Sequence, residues 1–372
     1  MGLFASQHDH ARHRHEQGGR HDRRQAPPHL CRRGNRSRFA NRLITLAAAL
    51  FLWVLPASAD TLRVATFNTE LSRKGPGLLL RDILRGSDPQ ITAVMDLLVQ
   101  ANADVVLLQG FDYDLENRAL SAFADALKAN GLPYPHLYAA PPNAGLRTGL
   151  DLNGDGRKGG PDDAQGYGRF YGAGSMALLS RFPIAADQVQ DFTHMLWRDL
   201  PGADLPQEDG NPFPSAEAQS VQRLSSRGHW VVPILHPEIG SIPILTFHAT
   251  PPVFDGPEDR NGKRNADEIR FWQHFLNGEI GQAPSTRFVL MGDANIDPNK
   301  GAGRRDTIRA LLDHSAFQDP LPEKPTVNWP QTGPMRVSYI LPSAGWRIID
   351  AQVMPQIAAA SRHNLLWVDL KQ

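Results

Sequence analysis

The chain has 372 residues with 39 basic and 39 acidic side chains, but residues 1–59 hold ten Arg against Asp9, Glu16 and Asp22 alone. Residues 60–372 are therefore net −7, which disfavours nucleic acid or another polyanion held by charge, without excluding it. The single cysteine, Cys31, lies in the basic leader, so disulfides, thiolate catalysis and cysteine-based zinc sites are excluded from the rest.

Leu43 to Leu55 is a run without charge, preceded by Arg36, Arg38 and Arg42 and ending in Pro56-Ala57-Ser58-Ala59. That is the form of a signal peptide, with cleavage expected before Asp60. The run is short for a bilayer span and no second candidate follows, so no stable span is expected after cleavage. We expect an exported protein, periplasmic or extracellular and monomeric. Residues 1–59 would be leader and signal peptide, and 60–372 one domain. A domain of that length can build its core without disulfides.

Strand-like and helix-like stretches alternate through this domain. Leu62–Phe67 reads as a strand. Ile91–Ala101 reads as a helix with Ile91, Val94, Leu97 and Leu98 on one face. Asp104–Leu108 reads as a buried strand and Leu115–Lys128 as a helix. From about 134 to 222 the pattern dissolves into Gly/Pro/Asp-rich loops around one strand, Ser175–Leu179. Trp230–Leu235 and Ile242–Phe247 read as a strand pair. A helix follows from about Lys263 to Leu276, with Gly278 just past its end. Phe288–Met291 is a strand and Arg304–Leu312 a helix. Arg336–Leu341, Trp346–Val353 and Leu365–Leu370 close the chain as strands. Mixed elements without a strict βαβ rhythm predict an α/β sandwich and not a doubly wound sheet.

Polar residues collect where these strands end: Asn68 and Glu70, Gln109 and Asp112, His248, Asp293 to Asp297, and Ser361 to His363. Functional groups gather at strand ends in open α/β folds. Carboxylate and amide oxygens suit a hard divalent ion, and a His can act as base or polarise a phosphoryl oxygen. Asp293 and Asn295 are two apart, so an extended backbone would point both one way.

The order Val64-Ala-Thr-Phe-Asn68, Ala103-Asp-Val-Val-Leu-Leu-Gln109, Leu179-Ser-Arg-Phe-Pro183, Phe247-His248, Met291-Gly-Asp-Ala-Asn295 and Ser361-Arg-His363 resembles the endonuclease/exonuclease/phosphatase superfamily. The resemblance covers nearly all of residues 61–370. Thr250-Pro-Pro-Val-Phe-Asp-Gly-Pro-Glu-Asp-Arg-Asn261 and Gly149-Leu-Asp-Leu-Asn-Gly-Asp-Gly156 resemble a bacterial exported branch of it. It implies a two-sheet sandwich flanked by helices, Mg²⁺ or Mn²⁺, and in-line attack of water on a phosphoester. By position it implies that Asn68 helps hold metal or phosphate and that His248 and His363 polarise the phosphoryl group. Asp293 would orient the attacking water as base, and Asn295 would hold phosphate oxygens.

Three carboxylates of the family pattern are replaced, by Gly110, Ser338 and Arg362. Their loss implies weakened metal binding and reduced turnover, with Arg362 attracting a phosphate anion instead. Asp112, two beyond Gly110, and Glu70, two beyond Asn68, would face the metal if each strand continued extended. The expected activity is thus a phosphoesterase, with a catalytically inactive binder of a phosphorylated ligand or protein partner as the rival. A calcium-stabilised surface-binding protein is a third reading. Asp151, Asn153, Asp155 and Gly156 have the spacing of a calcium loop, with the Arg157 carbonyl next and Asp162 at its twelfth position.

Overall fold

The computed structural model describes residues 61–372, so the leader and signal peptide expected at 1–59 lie outside the described residues. In chain order the elements are β1 (Thr61–Asn68), α1 (Leu78–Arg85), α2 (Pro89–Ala101), β2 (Val105–Phe111), α3 (Arg118–Ala129), β3 (His136–Tyr138), β4 (Ser175–Ser180), β5 (Gln190–Asp191), β6 (Gln207–Glu208), β7 (Asn211–Pro212), α4 (Ala216–Val221), β8 (His229–His236), β9 (Gly240–His248), α5 (Arg260–Leu276), β10 (Val289–Asp293), α6 (Arg305–Leu312), β11 (Val327–Trp329), β12 (Gly333–Met335), β13 (Ser338–Pro342), β14 (Arg347–Val353) and β15 (Leu366–Lys371).

Two sheets carry the fold, in the orders β14-β15-β1-β2-β4-β3 and β13-β10-β9-β8-β5. The pairs β1/β2 and β9/β10 are parallel and the other pairs in both sheets antiparallel. Period-two alternation sends Leu62 and Val64 of β1, with Val105 and Leu107 of β2, into the space between the sheets. There they meet Trp230, Ile244, Val289 and Met291. Ala65 and Phe67 point the other way and pack under α1, α2 and α3. On the far face of the second sheet, α5 and α6 cover Leu245, Phe247 and Leu290. This is the expected α/β two-sheet sandwich flanked by helices. Each such side chain, fully buried, contributes roughly 1.5–3 kcal/mol.

Local chemistry explains where the observed boundaries differ from the sequence expectation. The helix expected from Leu115 starts at Arg118, because Asn117 adopts φ 53° and breaks it. The Asp114 carboxylate then accepts the Ala119 N–H at 3.0 Å. The α2 helix starts two residues before Ile91, with Asp88 accepting the Ile91 N–H at 2.9 Å and Pro89 in its first turn. The sequence pattern did not reveal α1, only eight residues long between Gly77 and Gly86. It also missed the β11/β12 hairpin and the short pieces β3, β5, β6, β7 and α4, which are too brief for periodicity to register.

Candidate functional site

The parallel pairs β1/β2 and β9/β10 end on the same side of the sandwich, and their C-terminal residues converge. Asn68 lies opposite Gln109, and Asp293 lies opposite His248 on one side and Ser338 on the other. One hydrogen bond joins the sheets: Asn68 Nδ2 donates to Asp293 Oδ2 at 2.7 Å. His363, just before β15, brings its Nδ1 to 3.5 Å from the same oxygen, a charge contact when the ring is protonated. Asn68, His248, Asn295 and His363 therefore gather about Asp293 as the candidate cleft, with Ser338 beside it in β13 and Arg362 reaching it through Glu70.

Asp293 is fully buried. Burial pushes its carboxyl above the usual carboxylate range, against the pull of His363, the Asn68 hydrogen bond and the Asn295 N–H. His248 is pushed well below the usual imidazole range, by burial first and then by the charges of Arg227 and His363. It is thus held neutral. Its Nδ1, the Nδ1 of His363 and the Ser338 hydroxyl are buried without a hydrogen-bond partner. His229 shows the contrast: its Nδ1 meets the Ser225 hydroxyl and its Nε2 meets the Glu268 carbonyl at 2.8 Å. A satisfied core histidine is structural, whereas buried ring nitrogens without a hydrogen-bond partner beside Asp293 can take a polar ligand.

The expected alternation fails at two places. The strand ends at Asp293, and Asn295 turns into the left-handed region at φ 53°. Its N–H bonds Asp293 Oδ1 at 3.0 Å and its amide donates to the Ala249 carbonyl at 2.8 Å. That leaves one amide hydrogen for an oxygen ligand. Gly110 is a bulge in β2 with φ 68°, so Asp112 does not inherit the direction of position 110. Asp112 instead accepts from the Ser72 hydroxyl at 2.6 Å, Arg73 N–H at 2.8 Å and Gly174 N–H at 2.9 Å, organising three loops.

Glu70 is the carboxylate that does reach the cleft, close enough for its charge to act on Asp293. It is already paired. Arg362 donates to it from the backbone N–H and from Nε, each at 2.8 Å, and from Nη2. The Ser361 hydroxyl, donating to the Asn68 carbonyl at 2.7 Å, also lies 3.1 Å from Glu70 Oε2. Burial would raise the Glu70 pKa, but the Arg362 hydrogen bonds bring it net below the usual range.

Several supports were not read from the sequence. Glu268 on α5 is fully buried and accepts the Ser226 N–H at 2.5 Å and the Thr250 N–H at 2.6 Å, clamping the segments beside His248. Asn265 donates to the Thr250 and Ala294 carbonyls, both at 2.7 Å, tying the His248 and Asp293 loops together. The signal was present: a run of Arg264, Asn265, Asp267 and Glu268 within a helix whose apolar stripe is incomplete. Trp329 of the β11/β12 hairpin sets its ring edge-on to His363 at 5.7 Å.

The calcium-spaced loop stands apart from these residues. Asp151 Oδ1 accepts the Gly154 N–H at 2.7 Å and Oδ2 the Gly156 N–H at 2.8 Å, while Asp155 accepts the Arg157 N–H at 2.8 Å. Asn153 accepts from Asp155, and Asp163, next to Asp162, accepts from Leu152 and Gly160.

Among the described residues no three His, Cys, Asp or Glu side chains gather as a metal site. The cleft donors do not fit Mg²⁺ or Mn²⁺, which want several oxygens in near-octahedral array. Gly110 has no ligand atom, Ser338 offers only a hydroxyl, Glu70 is neutralised by Arg362, and Asp293 is the remaining carboxylate there.

The model of the Endonuclease/Exonuclease/phosphatase family matches residues 65–363, and members of that family commonly use divalent metals. A search of curated protein sequences returned no match. Among solved structures, an endonuclease/exonuclease/phosphatase from Beutenbergia cavernae superimposes with a TM-score of 0.53 at 18% identity, over 84% of this chain and 71% of that one. An endonuclease/exonuclease/phosphatase family protein from Leptotrichia buccalis gives 0.49 at 17% identity, over 84% of this chain and 100% of that one. The first of these likenesses is one of fold.

The tight fit at Gly110 gives a prediction. A Cβ there would stand 2.6 Å from Asn68 Oδ1 and 2.8 Å from the Glu70 nitrogen. Gly110→Ala should destabilise the chain by about 1–3 kcal/mol in urea unfolding, from backbone strain and displacement of Asn68. A change within about 0.5 kcal/mol, the range of neutral surface substitutions, would contradict this account.

Proposed function

The chain belongs to the Endonuclease/Exonuclease/phosphatase family, and from that premise we propose that it is an exported hydrolase of phosphoester bonds, acting at the cleft of Asn68, His248, Asp293, Asn295 and His363. The observation that carries the reading is the buried Asp293 carboxylate. Asn68 holds it from the opposite sheet, it lies within 3.5 Å of His363, and it sits beside a neutral His248. The phosphoryl group binds between the two histidines and supplies the partners their ring nitrogens lack. Asn68 and the Asn295 backbone N–H position the carboxylate, and the Asn295 side chain donates to a phosphoryl oxygen. Asp293 takes a proton from a water molecule as the water oxygen attacks phosphorus, and the ester oxygen leaves on the opposite side with the P–O bond electrons and takes a proton from solvent water.

A metal would supply Lewis-acid stabilisation of the phosphoryl charge. Arg362 is joined to Glu70 and withholds that carboxylate from a metal, which supports weak metal dependence. The same pair supports a second reading, a phosphate-binding cleft with little turnover.

The first test is hydrolysis of bis(4-nitrophenyl) phosphate by residues 60–372, with Mn²⁺ and with EDTA. We expect a measurable rate in EDTA, lost by about 100-fold or more in Asp293→Asn. The raised Asp293 pKa means that the base is ionised only above the ordinary carboxylate value of about 3.9, so the acid limb of kcat/KM should lie higher than that. The ionised buried Asp293 also costs stability above its folded pKa, so Asp293→Asn should leave Tm unchanged or raise it. Tight binding of inorganic phosphate with no turnover under any metal condition would select the second reading. No binding and no turnover would end both.

The calcium reading of Asp151, Asn153, Asp155 and Asp162 rests on the spacing of their oxygens. Millimolar Ca²⁺ should raise Tm, and Asp151→Ala with Asp155→Ala should abolish the rise. A Tm indifferent to Ca²⁺ in the parent would remove calcium from the account.

Export is supported by the run Leu43–Leu55 and its small-residue end. Among the described residues no helix is long and apolar enough to cross a membrane. N-terminal sequencing of protein from the periplasm or medium should start near Asp60, and intact protein confined to the cytoplasm would overturn this.

A further inference from the structure

Beside the cleft lies a cavity of about 490 Å³, within the range of small-molecule sites. It is lined by the segment that follows His248, by the start of α5, and by the loop-rich stretch between β3 and β8. Thr250, two residues beyond His248, belongs to its wall, and so does Arg227, whose charge acts on His248. The cavity and the phosphoester cleft therefore adjoin.

Three guanidinium groups line it: Arg227, Arg260 and Arg264. All three spend their hydrogen bonds on carbonyls. Arg227 donates to Gly174 O at 2.9 Å and Ser226 O at 3.1 Å. Arg260 donates to Leu152 O. Arg264 donates to the carbonyls of Leu224 at 2.8 Å, Gln165 at 2.5 Å, Arg223 at 2.8 Å and Ser225 at 3.1 Å. None of the three forms an ion pair among the described residues. Asp162 is the acidic residue in the wall, while Glu268 acts on Arg227 and Arg264, and Asp163, Asp255 and Glu258 act on Arg260, from outside it. Burial outweighs these charges at all three guanidiniums, so an anion in the cavity would relieve it. At the same cavity Tyr167 is 50% and Phe254 87% exposed, two large rings left to solvent where most aromatic side chains of this chain are buried. Cationic walls with exposed aromatic faces fit an anion carried on a flat or apolar organic body.

We propose that this cavity is a recognition subsite for a second anionic group of the substrate, so that the preferred substrate is a small phosphoester with a further phosphate or carboxylate on a flat organic body. The inference rests on the phosphoesterase reading and names the substrate class of that site. A long polyanion is a poorer fit, because the acidic surface beyond the cavity repels it.

The test compares two chromogenic probes, thymidine 5′-(4-nitrophenyl phosphate) and the same compound carrying a 3′-phosphate. The wild-type protein should show a KM at least about tenfold lower for the second, the scale of one charge-assisted anion contact. Arg260→Gln should bring the ratio of the two KM values close to one. Tyr167→Ala with Phe254→Ala, at exposed positions that do not threaten folding, should raise KM for both nucleoside probes relative to bis(4-nitrophenyl) phosphate. Equal KM values for the two probes in the wild type, or an unchanged ratio in Arg260→Gln, would overturn the proposal. Hydrolysis of bis(4-nitrophenyl) phosphate alone would likewise overturn the subsite. If neither probe nor bis(4-nitrophenyl) phosphate is hydrolysed, the phosphoesterase reading fails by itself. Calorimetric binding of adenosine 3′,5′-bisphosphate then decides the subsite: affinity lost in Arg260→Gln upholds it, and absent or unaltered affinity refutes it. Oligothymidylate binding tighter than the bisphosphate would also refute it, by assigning the cavity to a polymer.

Discussion

The hydrogen bond from Asn68 to Asp293 is the contact on which the cleft depends. It spans the two sheets at the point where both parallel strand pairs end, and both partners are nearly or fully buried. A carboxylate in that position would be costly if left alone. Here it is met by Asn68 from one sheet, by the Asn295 N–H from its own turn and by His363 from the segment entering β15. Each comes from a different part of the chain, so the carboxylate fixes the relative placement of β1, β10 and β15. Ser361 reinforces this by donating to the Asn68 carbonyl, which ties the final strand back to the first.

The sandwich itself was legible because its strands are long and regularly patterned. Leu62, Val64, Val105 and Leu107 announce a buried face by alternation alone, and β1, β8, β9, β10 and β15 lie where the sequence places them within a residue or two, while β2 runs three residues further, to Phe111. The grouping of Asn68, His248, Asn295 and His363 about Asp293 was expected from the family resemblance together with their position at strand ends. What escaped were features governed by single backbone torsions. Gly110 and Asn295 both take positive φ, and each redirects the chain so that counting by twos fails. No periodicity argument reveals that Asp112 turns to cap loops or that Glu70, itself at φ 50°, swings back towards Arg362. The polar face of α5 was also missed, since a buried Glu268 and Asn265 look like solvated positions until the loops they clamp are in view.

Gly110 and Arg362 form one structural solution and not two separate losses. A side chain at 110 would strike Asn68 Oδ1 and the Glu70 backbone. Only glycine lets the segment after β1 fold close enough for Glu70 to sit beside the cleft, and there Arg362 meets it with three hydrogen bonds. The pair is net neutral, and it takes the Glu70 carboxylate away from any metal. Restoring a carboxylate at position 110 would therefore disturb the turn before it offered a ligand.

A guanidinium and a divalent ion are not equivalent in such a cleft. Both neutralise anionic oxygens, but a guanidinium has no empty orbital with which to acidify a water molecule, and it never gives up its own proton. Activation of water must then fall on a side chain able to accept a proton near neutral pH. Burial has moved Asp293 in that direction, by raising its carboxyl above the ordinary range. His248 moves the opposite way, held neutral by burial and by Arg227, so it offers a hydrogen bond to a phosphoryl oxygen without competing for the proton. On the proposed phosphoesterase reading the two shifts would divide the labour between base and donor, and they arise from the same dry environment that the sandwich creates where its sheets meet.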